Sequence, residues 1–117
     1  MKVLIVDDER AIGRLIETSL NNRGFTARWI DRADNIVEEV RTFSPDVILL
    51  DINMPGKSGF EALKEIREKG INTPVIMISI LSQDFNIDMA YDLGATDYIT
   101  KPFSLNHLIR KLERLLR

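Results

Sequence analysis

A chain of 117 residues fits a single domain, here taken as residues 1–117, and an apolar share of 44% beside 29% charged residues is enough for one packed core. A net charge of -2 leaves no basic footprint and argues against direct nucleic-acid binding, and the lack of cysteine excludes disulfides and thiolate metal sites. No apolar run approaches a membrane span or a secretory signal, since only Val3 to Val6 precede the acidic Asp7 and Asp8; the expected location is the cytoplasm, away from membranes.

The first element is a short apolar strand, Val3 to Val6, ending in Asp7-Asp8-Glu9. Ile12, Leu15, Ile16 and Leu20 then recur at helical spacing, and Gly24 stops that helix. Gly13 lies inside it, at a cost of ~0.5–1 kcal/mol relative to alanine, with no reason visible in the sequence. From Phe25 to Ile30 the pattern alternates, putting Phe25, Ala27 and Trp29 on one side of a more exposed strand. A second helix carries Ile36, Val37 and Val40, with Asp34 as its expected cap, and ends at Ser44-Pro45. Val47 to Leu50 form an unbroken apolar run, the mark of a strand buried on both faces, and Asp51 follows directly before the Pro55-Gly56 turn.

The third helix spans Ser58 to Lys69, with Ser58 and Glu61 at capping-box spacing and Leu63 and Ile66 facing inward. Val75 to Ile78 is the fourth strand, ending at Ser79, and a fourth helix is expected from about Ser82 to Leu93, stopped by Gly94. Asp97 to Thr100 is the fifth strand, followed by Lys101-Pro102-Phe103. Ser104 caps a last helix with Leu105, Leu108, Ile109, Leu112, Leu115 and Leu116 as its stripe. The lone histidine, His107, reads as a surface residue, and Trp29 as a half-exposed packing residue.

Strands alternating with helices imply a parallel sheet covered on both faces, and right-handed crossovers bring all strand C-termini to one edge. That edge gathers Asp7, Asp8, Asp51, Ser79 and Lys101. Clustered carboxylates raise one another's pKa, and the remedies are a shared proton or a bound cation. Oxygen donors without His or Cys suit a hard ion such as Mg²⁺. With a lysine and a hydroxyl added, the set describes a phosphoryl site with Asp51 as nucleophile and Lys101 neutralising the transferred group.

These residues, together with Asn53-Met54-Pro55-Gly56, Tyr98 and Lys101-Pro102-Phe103, make the whole chain resemble the receiver domain of two-component response regulators. The resemblance implies a doubly wound α/β fold, a five-stranded parallel sheet in the flavodoxin-like order 2-1-3-4-5. It implies that Asp51 accepts a phosphoryl group from a sensor histidine kinase or phosphotransfer protein, so that the chain is a signalling switch that catalyses only its own phosphorylation and dephosphorylation. Asp8, Asp51 and the backbone carbonyl of Asn53 would hold Mg²⁺, with Asp7 acting through water. Lys101 would pair with the phosphoryl oxygens, and Ser79 and Tyr98 would be the switch pair. A cis Lys101-Pro102 bond is part of the same resemblance.

Ile80 stands where the family has a small residue, with Leu81 next. Both are expected to keep water from an acyl phosphate, and Ile80 to hinder phosphoryl access. On the fourth helix Asp84, Asp88 and Asp92 form an acidic stripe beside a wide apolar arc. The resemblance implies an output face on helix four, strand five and helix five, built here from Ile87, Met89, Tyr91, Asp92, Asp97, Lys111 and Arg114. That face would serve a phosphorylation-enhanced homodimer or another partner, and transcription regulation where a DNA-binding domain follows. Two other readings remain open: a pseudo-receiver that binds protein without phosphorylation, and an aspartate-nucleophile phosphohydrolase. The latter usually has a second Asp two residues after the nucleophile, where this chain has Asn53.

Overall fold

The computed structural model describes residues 1–80 and 84–116, and the side chains of all of these but 84–86. Five strand–helix units follow one another: β1 (Lys2–Val6), α1 (Arg10–Asn22), β2 (Thr26–Ile30), α2 (Ile36–Phe43), β3 (Val47–Asp51), α3 (Gly59–Glu68), β4 (Val75–Ser79), α4 (Asp84–Asp92), β5 (Asp97–Thr100) and α5 (Leu105–Leu115). The strands form one parallel sheet in the order β2-β1-β3-β4-β5, the expected flavodoxin-like arrangement.

Alternation along the strands splits the core in two. Leu4, Val6, Ile48, Leu50, Val75 and Met77 point to one face, where α2, α3 and α4 cover them with Ile36, Val40, Leu63, Ile66 and Ala90. Val3, Ile5, Val47, Leu49, Ile76 and Ile78 point to the other, under Ile16 and Leu20 of α1 and Leu108, Ile109 and Leu112 of α5. Burial of β3 and β4 from both sides explains why their sequences run without polar interruption. Phe25, Ala27 and Trp29 share one side, as their alternation implies, and join the second cluster.

Helix ends show where local signals decide. Ser58 and Glu61 form the reciprocal capping box at α3, and the Ser104 hydroxyl accepts the His107 N–H at α5. Asp34 is not the cap of α2; Asn35 holds that position without a side-chain bond, and Asp34 pairs with Arg32 at 3.7 Å. Leu15, expected to face inward, is 57% exposed, because the buried seam of α1 runs through Gly13, Ile16 and Leu20. The expected start of the fourth helix at Ser82 lies outside the described residues. At the far end of that helix, Arg67 of α3 donates to the Gly94 carbonyl at 2.9 and 3.0 Å, and to those of Ile71 and Thr73 at 2.8 Å. One guanidinium thus ties α3 to the turn that feeds β5.

Candidate functional site

The parallel arrangement delivers four strand ends to the same edge. Val6 lies beside Leu50, Asp51 beside Ile78 and Ser79 beside Thr100. Asp7 and Asp8 therefore leave β1 next to Asp51, the last residue of β3, and Lys101 leaves β5 next to Ser79. Asp7 and Ser79 are buried, and Asp51 is only 4% exposed.

One carboxylate oxygen each from Asp7, Asp8 and Asp51 lies within 4.8 Å of the others. Lys101 enters from the other side, its side chain 8% exposed, with Nζ 3.0 Å from Asp7, 3.1 Å from Glu9 and 3.7 Å from Asp51. Asp7 Oδ1 accepts the Glu9 N–H at 2.9 Å, while its buried Oδ2 faces the lysine without an aligned hydrogen bond. The Lys101-Pro102 peptide bond is cis.

Burial pushes the Asp51 carboxyl up from 3.8 to about 7; the charge of Asp7 and a hydrogen bond with Asp8 act in the same sense, against Lys101 and the Asn53 N–H. Burial alone would lower the Lys101 ammonium, but its close pairing with Asp7 and the charge of Asp51 outweigh that and hold it above 10.5. The three acids carry more negative charge than one lysine balances. The donor set, all oxygen and partly open to solvent through exposed Asp8, fits a hard divalent cation.

The other expected site residues fall into two groups. Tyr98 is half-buried against the core beneath β4, with its N–H bonded to the side chain of Asp97 at 2.8 Å. Ile80 is 66% exposed and lines a cavity of about 350 Å³ with Glu9, Ile12, Leu15, Lys101 and Phe103; Leu81 lies outside the described residues. On α4, Met89 and Tyr91 are 42% and 45% exposed, Asp88 and Asp92 are exposed, and Ile87 is half-buried. The side chains of Asp84 and Phe85 are outside the described set. Lys111 pairs with Asp97 at 2.9 Å within the chain, and Arg114 is exposed.

Sequence reasoning missed two participants. Glu9 is a third acid on Lys101, and the run Asp7-Asp8-Glu9 was its only signal. Trp29 donates its indole N–H to the Asp7 carbonyl at 2.8 Å, so it touches the backbone of the acid cluster.

Three acids, a lysine and a hydroxyl thus meet at the C-terminal edge of a doubly wound sheet. A family model described as the response regulator receiver domain matches residues 3–113, and the chain belongs to that family. It is 38% identical over 112 residues to the transcriptional regulatory protein DltR of Streptococcus agalactiae serotype III (strain NEM316), covering 96% of this chain and 50% of that protein. The chain thus spans about half the length of the curated relatives it matches. Among solved structures, the receiver domain of the Francisella response regulator 1452 superposes with a TM-score of 0.92 at 35% identity, over 97% of this chain and 94% of that one. The BeF3-activated N-terminal receiver domain of Klebsiella pneumoniae RstA gives 0.92 at 30% identity, over 100% and 99%. No helix among the described residues is long and apolar enough to cross a membrane.

Proposed function

We propose that the chain is a phosphorylation-controlled switch in which Asp51 takes a phosphoryl group from a phosphohistidine of a sensor kinase or phosphotransfer protein. The observation that carries this reading is the gathering of Asp7, Asp8 and Asp51 within 4.8 Å, with the Lys101 ammonium on the same acids. A carboxylate oxygen of Asp51 attacks phosphorus; the P–N bond breaks, its electron pair stays on the imidazole, and an acyl phosphate remains. The attacking carboxylate must be ionised, which its burial and the charge of Asp7 oppose. Asp8, Asp51 and the Asn53 carbonyl would hold Mg²⁺, with Asp7 through water; bound there, the ion neutralises carboxylate and phosphoryl oxygens. Lys101 exchanges part of its contact with Asp7 and Glu9 for a phosphoryl oxygen. Ser79 donates its hydroxyl to the phosphoryl group, and Tyr98 turns inward behind it.

Acetyl phosphate with Mg²⁺ should add one phosphoryl group to the protein, and Asp51→Asn should take up none. Equal labelling of the variant would falsify the assignment, and a parent that never labels would leave the pseudo-receiver reading.

The output face we assign is α4, β5 and α5. Asp97 and Lys111 already pair within one chain, so a cross-subunit pair at these positions exchanges one ion pair for another. Exposed pairs contribute only ~0–1 kcal/mol each, which leaves Met89, Tyr91 and the flank of Ile87 to supply the affinity. Phosphorylated protein should therefore form a weak dimer that persists in high salt, and Ile87→Lys should abolish it. Sedimentation velocity reads this directly, and a dimer indifferent to Ile87→Lys places the contact elsewhere. Control of transcription, the role stated for DltR, would follow from such pairing in a longer protein.

A further inference from the structure

Gly13 is buried in the middle of α1, where glycine is unfavourable, and its reason lies across the sheet edge. A Cβ at Gly13 would overlap Nε1 and Cδ1 of Trp29 and stand 2.5 Å from its Cε2. The helix has a notch there, and the indole fills it. From that notch Trp29 Nε1 donates to the Asp7 carbonyl at 2.8 Å, the Arg14 guanidinium lies 5.9 Å from the ring centroid, and the Trp29 backbone N–H bonds Glu17 at 2.8 Å.

The bonded atom is what gives this packing a consequence. The carbonyl of Asp7 belongs to the peptide that joins Asp7 to Asp8. The other polar groups of Asp7 on either side of it are bonded too, the Asp7 N–H to the Ile30 carbonyl at 3.2 Å and Oδ1 to the Glu9 N–H at 2.9 Å. Without the indole, the plane of that peptide has one restraint fewer, and Asp8 lies immediately beyond it.

We propose that Trp29 is a positioning residue for the acid cluster. Its indole N–H, seated in the notch left by Gly13, orients the Asp7–Asp8 peptide so that these carboxylates converge with Asp51 on a divalent cation. The inference rests on the metal-assisted phosphoacceptor reading above. It makes Gly13 and Trp29 a matched pair.

The test is calorimetric titration with Mg²⁺ of the parent and of Trp29→Phe, which keeps a ring in the notch and removes the N–H. Mg²⁺ should bind the variant about three- to tenfold more weakly, the range one net hydrogen bond supports. Equal affinity in the two proteins overturns the role of Trp29 and leaves the phosphoacceptor reading standing. A parent that takes up no Mg²⁺ overturns both. If Trp29→Phe does not fold, the parent still decides. Trp29 is the one tryptophan in the chain, so its indole N–H gives a single resonance in a ¹H–¹⁵N spectrum. That resonance should shift along the same binding curve as the calorimetry and exchange more slowly with solvent when Mg²⁺ is bound. An indole resonance unmoved by saturating Mg²⁺ overturns the proposal.

Discussion

Alanine at Gly59 is expected to destabilise the protein by about 3 kcal/mol or more, a larger effect than truncating most core side chains by one methylene. Gly59 is the first residue of α3, and its N–H bonds the Ile52 carbonyl at 2.9 Å. A Cβ there would run into the Asp51 carbonyl oxygen, and would lie 2.7 Å from Ile52 Cα and 2.9 Å from the Asp51 carbonyl carbon. All three atoms are backbone at the end of the central strand, so no rotamer change relieves the clash. Either α3 moves off the sheet, losing the burial of Ala62, Leu63 and Ile66, or the end of β3 moves and takes Asp51 with it. Urea unfolding of the two proteins measures the loss. A variant within about 0.5 kcal/mol of the parent, the usual range for harmless surface changes, would show that α3 slides freely along β3.

The comparison with Gly13 explains which parts of this molecule were legible in the sequence. Val47 to Leu50 and Val75 to Ile78 announce themselves because a strand covered on both faces tolerates no polar residue, and the meeting of Asp51 and Ser79 at their ends follows from one-sided topology. The capping box at Ser58 depends only on residues within one turn, so it too was readable. The Gly13–Trp29 fit joins residues 16 positions apart, on a helix and the strand that follows it, and neither residue signals the other. Leu15 fails differently. Its spacing matches the apolar stripe, but the buried seam of α1 runs through Gly13, Ile16 and Leu20 and leaves Leu15 on the cavity beside Lys101. Glu9 was in plain view within an acidic run, yet only the path of Lys101 selects it as a partner. Asp97 and Lys111 read from the sequence as part of an interaction face, and the structure adds that they pair with each other within one chain.

Asp51→Asn, besides removing the proposed phosphoacceptor, is expected to stabilise the cation-free protein in a pH-dependent way. The folded state raises the Asp51 carboxyl from 3.8 to about 7, first through burial and then through the charge of Asp7. Between those two values the folded chain retains a proton that the unfolded chain has released. The contribution of this group is therefore fully present below pH 3.8, is lost as pH rises through that window, and is gone above about pH 7. For a side chain this buried, the cost at pH 8 is on the order of 2–4 kcal/mol, and the neutral amide avoids it. Unfolding in EDTA should show the Asp51→Asn variant more stable than the parent at pH 8 by an amount of that order, with the difference shrinking towards pH 4. Asp7 pairs with Lys101 at 3.0 Å, closer than Asp51 at 3.7 Å, and the substitution leaves Asp7 and Lys101 in place, so the lysine is expected to keep its nearer partner. Adding Mg²⁺ should narrow or reverse the gap at pH 8, because a ligand that binds the folded parent adds stability which the variant, lacking one acid, gains less of. A gap that stays constant from pH 4 to pH 8 would mean that Asp51 is ionised throughout, and that its burial beside Asp7 costs the fold nothing.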